Sequence, residues 1–187
     1  MIAGIILAAG ESKRMGRPKQ LIDIGGRTML QCVADAALGS RLDEIIVVLG
    51  YQADACQASL AGRDVRVVLN RGYPEGMGSS VRAGVAALPA GAIAAMFLLV
   101  DQPGITSNAI DALLALSTPA NVVAPLVDGR RGNPTIFGRR WFPELAQCSG
   151  DSGGRGIIDA HPDALVLVET KADLRDVDTP QDLAALS

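Results

Sequence analysis

The chain opens on an apolar run, residues 2–7, that ends at Leu7-Ala8-Ala9-Gly10. Short apolar runs bounded by turn residues read as strands buried on both faces. Similar runs recur at residues 45–49, 65–69 and 94–100. Between them the apolar positions change to helical spacing. Met29, Leu30, Val33, Ala36, Ala37 and Leu38 follow Thr28, a good N-cap, and stop at Gly39. Residues 53–60, closed by Gly62, form a second expected helix, residues 79–88 a third after a loop at 70–78, and residues 107–116 a fourth. Strands alternating with helices, and apolar on both faces, predict an α/β domain with a largely parallel sheet covered on both sides.

The second half is less regular. Residues 122–126 and 135–137 flank Val127-Asp128-Gly129-Arg130, and Asp-Gly between apolar runs predicts a hairpin-like turn. Residues 140–147 read as helical, 149–156 as a glycine-rich loop and 164–168 as a further strand. Residues 180–186 read as a helix with Thr179 at its cap and Pro180 at its first position. No repeat, linker or shift of composition divides residues 1–187, so one domain is expected.

In parallel sheets, ligands sit outside the carboxyl ends of the strands. That rule places the loops at residues 8–19, 50–53, 70–78 and 101–106 along one edge. The first of them carries Lys13, Arg14, Arg17 and Lys19, while the chain as a whole has a net charge of −3. A cationic, glycine-containing loop leaving a buried strand predicts a phosphate site, with a nucleoside triphosphate as its ligand. Its glycine spacing matches neither Gly-x-Gly-x-x-Gly nor the P-loop pattern, which disfavours dinucleotide binding and P-loop hydrolysis.

Composition narrows the remaining classes. The acidic pI of about 5.1 argues against a sequence-independent nucleic-acid binder. The longest apolar run, residues 92–100, falls well short of the ~20 residues of a membrane helix. The first charges follow the opening apolar run, the reverse of a secretory leader. Cys32, Cys56 and Cys148 lack any C-x-x-C spacing, so a reducing compartment is expected and the protein is read as cytoplasmic. With His161 the only histidine, zinc and serine–histidine chemistry are disfavoured.

Two carboxylates draw attention. Asp101 follows Phe97-Leu98-Leu99-Val100 and projects from a strand end, where a hard oxygen ligand suits Mg²⁺ together with substrate phosphates. Asp-Gln-Pro-Gly would equally allow a turn residue there. Asp178, with Asp176 close by, is a second possible ligand or a residue of the turn before the last helix. Gly76-Met77-Gly78-Ser79-Ser80 opens a helix with N–H groups and hydroxyls able to meet a base edge or a phosphate.

These segments together resemble a known family. Leu7-Ala8-Ala9-Gly10-x-Ser12-x-Arg14-Met15-Gly16-x-x-Lys19 is similar to the signature of nucleotidyltransferases acting on molybdenum cofactor and on sugar or polyol phosphates. Gly76-Met77-Gly78-Ser79-Ser80, Leu99-Val100-Asp101-Gln102-Pro103, Gly132-Asn133-Pro134, Gly150-Asp151-Ser152-Gly153-Gly154-Arg155 and Asp176-Val177-Asp178-Thr179-Pro180 follow in the order of the molybdenum cofactor cytidylyltransferase branch.

The resemblance implies a Rossmann-like three-layer domain, with a mixed sheet that has an antiparallel strand near its end. It implies that Leu7, Ala8, Ala9, Gly10, Ser12, Arg14 and Lys19 hold the nucleotide, with Gly78, Ser79 and Ser80 near base and sugar. Asp101 and Asp178 would hold Mg²⁺, and Asn133, Pro134, Asp151 and Arg155 would face the acceptor. Ala8-Ala9-Gly10 looks like the cytidylyl enzymes, favouring CTP over GTP. Gly153-Gly154 and Gln20-Leu21-Ile22-Asp23 depart from the family pattern.

The expected reaction is in-line attack of the acceptor's terminal phosphate on the α-phosphorus of the NTP, with pyrophosphate leaving. A phosphate dianion needs no general base. Arg14, Lys19 and Asp101 would carry the catalysis, and a Lys19→Ala variant is expected to lose ~10²–10³ in rate with stability unchanged. A sugar, polyol or phospholactate-type acceptor is an alternative, as is a non-catalytic carrier delivering cofactor to a molybdoenzyme or its chaperone. The reading requires Lys19 and Asp101 to face one ligand.

Overall fold

The computed structural model describes residues 1–185. The chain runs β1 (Ile2–Ala8), β2 (Asp23–Ile24), β3 (Arg27–Thr28), α1 (Met29–Leu38), β4 (Glu44–Leu49), α2 (Ala53–Ser59), β5 (Arg66–Leu69), α3 (Met77–Ala86), β6 (Ala94–Leu99) and α4 (Ser107–Leu114). It continues through β7 (Val122–Val127), β8 (Arg130–Arg131), β9 (Thr135–Gly138), α5 (Phe142–Leu145), α6 (Arg155–Ala160), β10 (Leu165–Glu169) and α7 (Pro180–Ala184).

Seven strands lie side by side in the order β10-β7-β9-β6-β1-β4-β5, and β8 pairs with the end of β7. Pairings β1–β4, β1–β6, β4–β5 and β7–β10 are parallel. Strand β9 is antiparallel to both its neighbours, β6 and β7, giving the expected mixed sheet. Central β1 sets the register, with Ile5 facing Ile46 on one side and Phe97 on the other.

The period of two along each strand sorts the side chains into two cores. Ile6 and Ala8 of β1, Val47 and Leu49 of β4, and Met96 and Leu98 of β6 join one core, covered by Leu30, Val33 and Ala34 of α1, Cys56 of α2 and Ile110 of α4. Ala3, Ile5 and Leu7, Ile46 and Val48, and Ala95 and Phe97 join the other, beneath Val81 of α3, Trp141, Leu145 of α5 and Ile157 of α6. These are the three layers predicted. Among the described residues no helix is long and apolar enough to cross a membrane.

Local signals explain most boundaries. Thr28 and Gln31 form a capping box at α1, and Thr179 and Asp182 do the same at α7. Asp128 and Gly129, both at positive φ, make the tight turn that pairs Val127 with Arg130. Four expectations are corrected. Helix α3 starts at Met77 rather than residue 79, because Gly76 at φ 104° turns the chain and the Gly78 N–H donates to Gly150 O at 2.8 Å. The helix expected over 140–147 is a 3-10 turn, Arg139–Trp141, followed by the short α5, with Pro143 near its start. Residues 155 and 156, read as loop, open α6. The β2–β3 hairpin around Gly25-Gly26 is an addition. The helix read to residue 186 runs to Ala184, and residue 186 itself lies outside the described residues.

Candidate active site

A cleft of about 490 Å³ opens beyond the carboxyl ends of β1 and β6. Its walls include Leu7, Ala9, Gly10, Ser12, Arg14, Lys19, Ser80 and Asp101, all expected there, together with Asp151.

A third, small core assembles its cationic end. Met15, Ile22, Met29 and Val177 are buried together, with Ile24 and Leu183 packed against them. Met15 belongs to the basic loop and Val177 to the segment before α7. Burying both side chains in one cluster brings their neighbours, Arg14 and Asp178, face to face at 2.8 Å. Backbone bonds fix the same segment to the end of β6. The Val177 N–H donates to Asp101 O at 2.8 Å, and Gln102 Nε2 donates to Leu174 O at 2.8 Å and to Asp176 Oδ1 at 2.9 Å.

Lys19 is the hub. It is only 7% exposed, and its ammonium donates to Asp101 Oδ2 at 3.2 Å and to Asp178 Oδ1. The residues on which the sequence reading depends therefore meet. For an ammonium this buried and doubly paired, Lys19→Ala is expected to cost stability as well as rate, where the sequence alone predicts no stability loss. The loop is set from both ends. Ser12 adopts the left-handed region at φ 57°, unusual for a residue with a β-carbon, and its hydroxyl accepts the Lys19 N–H at 3.2 Å.

The carboxylates are suited to a hard divalent cation. Asp101 Oδ1 is buried and has no hydrogen-bond partner among the described residues, an unsatisfied acceptor next to an existing cation position. Asp178 presents both oxygens to cations. Loss of water around its carboxyl, then the negative charge of Asp101, push Asp176 above the usual carboxylate range. Among the described residues no group of three or more His, Cys, Asp or Glu is arranged to enclose a metal. A pair of carboxylates fits Mg²⁺, which commonly completes its shell with water and substrate phosphates.

Other expected site residues lie elsewhere. Ala8 is buried in the core, with its carbonyl turned to Gln20. Gly78 faces the loop before α6, not the cleft. A β-carbon there would lie 2.7 Å from the Ser149 backbone, so close chain approach accounts for the glycine. Ser79 is buried, its hydroxyl donating to Gly76 O and accepting from Asn70 Nδ2. Pro134 lines a separate small cavity beside α4 and β10. Asn133 pairs locally with Thr135, and Arg155 is exposed at the start of α6; neither lines the cleft. Sequence reasoning placed the 70–78 loop at this edge without singling out Tyr73 and Pro74, which line the cleft with Met77, and it assigned no role to the buried Gln20. A lone polar residue between Lys19 and the apolar pair Leu21-Ile22 was the available signal for Gln20.

Comparison with known proteins bears on the family and the fold. A family profile described as "MobA-like NTP transferase domain" matches residues 4–165. The chain is 32% identical to a protein of Paenarthrobacter nicotinovorans named nicotine blue oxidoreductase, over 99% of this chain and 96% of that one. It is 31% identical to a probable molybdenum cofactor guanylyltransferase of Mycobacterium ulcerans, over 98% and 92%. It is 29% identical to the purine catabolism protein PucB of Bacillus subtilis, over 97% and 93%. Among solved structures, a nucleotidyl transferase from Methanothermobacter thermautotrophicus superposes with a TM-score of 0.88 at 25% identity, over 100% of this chain and 95% of that one. Rv0371c of Mycobacterium tuberculosis, described as a complex with manganese, does so at 0.84 and 28%, over 99% and 97%.

Proposed function

This chain belongs to the MobA-like NTP transferase family; from that premise we propose that it is a nucleotidyltransferase that moves CMP from CTP to the terminal phosphate of molybdenum cofactor. The observation that carries the reading is the meeting of Lys19, Arg14, Asp101 and Asp178 at one end of one cleft.

A phosphate oxygen of the acceptor attacks the α-phosphorus as the bond to the β-phosphate oxygen breaks, and pyrophosphate leaves with that electron pair. The attacking dianion brings its own nucleophilic lone pair, so no side chain has to remove a proton. Arg14 and Lys19, cations at the cleft end, neutralise the triphosphate, and the loop N–H groups around Gly10 and Ser12 orient it. Asp101 and Asp178 would hold Mg²⁺, which when bound polarises phosphoryl oxygens and offsets their charge. The core around Met15 and Val177 keeps cations and carboxylates in fixed register, so little reorganisation accompanies the reaction. Ser80 and the wall of Tyr73, Pro74 and Met77 bound the space left for base and acceptor. Asp151, at the cleft edge, is the acceptor-side residue best placed for this role.

The purified protein is to be offered CTP, GTP, ATP and UTP, with and without molybdenum cofactor, while pyrophosphate and the nucleotidylated product are followed. Pyrophosphate formed only with CTP, cofactor and Mg²⁺ is expected. Preference for GTP, as the name of the mycobacterial relative suggests, would reassign the donor. Turnover with a sugar, polyol or phospholactate-type phosphate instead would reassign the acceptor. Tight cofactor binding without pyrophosphate from any NTP would replace the transferase by a carrier.

A further inference from the structure

Gln20 stands outside every role given so far, yet it is one of the most deeply buried polar residues described, at 1% exposure. Its Nε2 donates to two carbonyls at once, Ala8 O and Gly10 O, each at 2.8 Å. Two carbonyl acceptors fix which end of the amide carries hydrogens, because the oxygen could bond neither. The side chain thus staples the two sides of the bend where β1 becomes the cationic loop.

Peptide planarity makes this staple relevant to the ligand. The only cis bond described is Asn133-Pro134, so the Gly10–Glu11 peptide is trans and its N–H points opposite to its C=O. Holding Gly10 O against the buried amide therefore turns the Glu11 N–H away from Gln20. Gly10 and Glu11 both line the cleft, and the Glu11 N–H so oriented finds no acceptor among the described residues. The following backbone bond, Lys19 N–H to Ser12 Oγ, belongs to the same short turn as Gln20. One turn thus delivers both the Lys19 ammonium and the clamp on the loop that faces it. Gln20 Oε1 is left buried without a partner, a penalty that an apolar residue there would avoid.

We propose that Gln20 is a positioning residue for the triphosphate: by pinning the Ala8 and Gly10 carbonyls it holds the bend and presents the Glu11 N–H to a polyphosphate in the cleft. The inference rests on the proposed use of this cleft for a nucleoside triphosphate. Gln20 touches no reacting atom and acts through the backbone.

The test uses the full chain with Gln20→Leu and Gln20→Glu, probed with CTP and with inorganic triphosphate by calorimetry. Folded protein is quantified by circular dichroism, and amide hydrogen exchange is read at residues 9–12. Removing two hydrogen bonds that orient donors to a charged group should weaken both ligands by about tenfold or more. Exchange at residue 11 should speed up in the free variants. Gln20→Glu should recover part of its affinity, relative to the parent, as pH falls and a protonated carboxyl can donate one bond.

A purely structural Gln20 would lower the melting temperature but leave the dissociation constant per folded molecule unchanged, and that result overturns the proposal. So would a loss restricted to CTP with triphosphate unaffected, since base contacts would then be responsible. If the parent binds inorganic triphosphate and the variants weaken it, but no NTP is turned over, the role of Gln20 stands and the transferase reading falls.

Discussion

Replacing Lys19 by methionine keeps an unbranched side chain one atom shorter and removes its charge. Two carboxylates, Asp101 and Asp178, then lose the ammonium they share. Breaking a fully buried pair costs ~3–5 kcal/mol. Each carboxylate side chain here retains 24% exposure, so water recovers part of that, and a loss of about 1–3 kcal/mol is expected. For a domain of this size that corresponds to a fall in melting temperature of roughly 2–12 °C. Transfer should slow by ~10²–10³, as for the loss of one preorganised charge-stabilising group.

The two losses should separate on adding Mn²⁺ or Mg²⁺. The vacated carboxylates accept a divalent cation, so the variant's melting temperature should rise more than the parent's, while the rate stays low. Differential scanning fluorimetry across a metal titration reads the first, and pyrophosphate release reads the second. A variant with parental melting temperature and near-parental turnover would refute the central role of Lys19. Equal metal-induced shifts in the two proteins would refute the shared cation position.

Asp101→Asn should abolish metal-dependent turnover while nucleotide still binds in part; an unchanged Mg²⁺ dependence of the rate would remove Asp101 as a ligand. Gly78→Ala drives a β-carbon to 2.7 Å from the Ser149 backbone and should destabilise by about 1–3 kcal/mol, seen as a lower urea midpoint. Arg63 holds Asp35 through bonds of 2.6 and 3.0 Å, and chiefly this hydrogen bonding keeps the Asp35 carboxyl below its ordinary range. A depressed carboxyl stabilises the fold above its unfolded pKa of about 3.9 and loses that contribution as pH falls through the lower folded value. The stability gap between the parent and Arg63→Gln should therefore be open at pH 7 and close below about pH 4.

Much of this was legible because strand and helix differ in period. The β1, β4 and β6 runs were continuous enough to show a sheet covered on both faces, and the caps at Thr28 and Thr179 marked two helix starts. The approach of Lys19 to Asp101 followed from one rule, that loops after parallel strands share an edge. What the sequence hid was close packing at a distance. Gly78 looked like a ligand contact, yet it makes room for the backbone of Ser149, 71 residues away in sequence. Met15 and Val177 showed no periodicity, so the core they share, and the encounter of Arg14 with Asp178, could not be read. Gln20 was visible only as a departure from an apolar pattern, because a bond to main-chain carbonyls leaves no trace in local propensity.

The stretch from Leu174 to Asp178 follows β10, at one margin of the sheet, and returns to the end of β6 beside central β1. A ribosome has therefore finished every described strand before it adds Asp178. A growing chain halted at Thr170 would own its complete sheet and its cationic loop, with Lys19 holding Asp101 alone. The carboxylate pair is completed only by a segment that follows the last described strand, so a polypeptide cut before Asp178 can look folded to a spectrometer and still lack half of that pair.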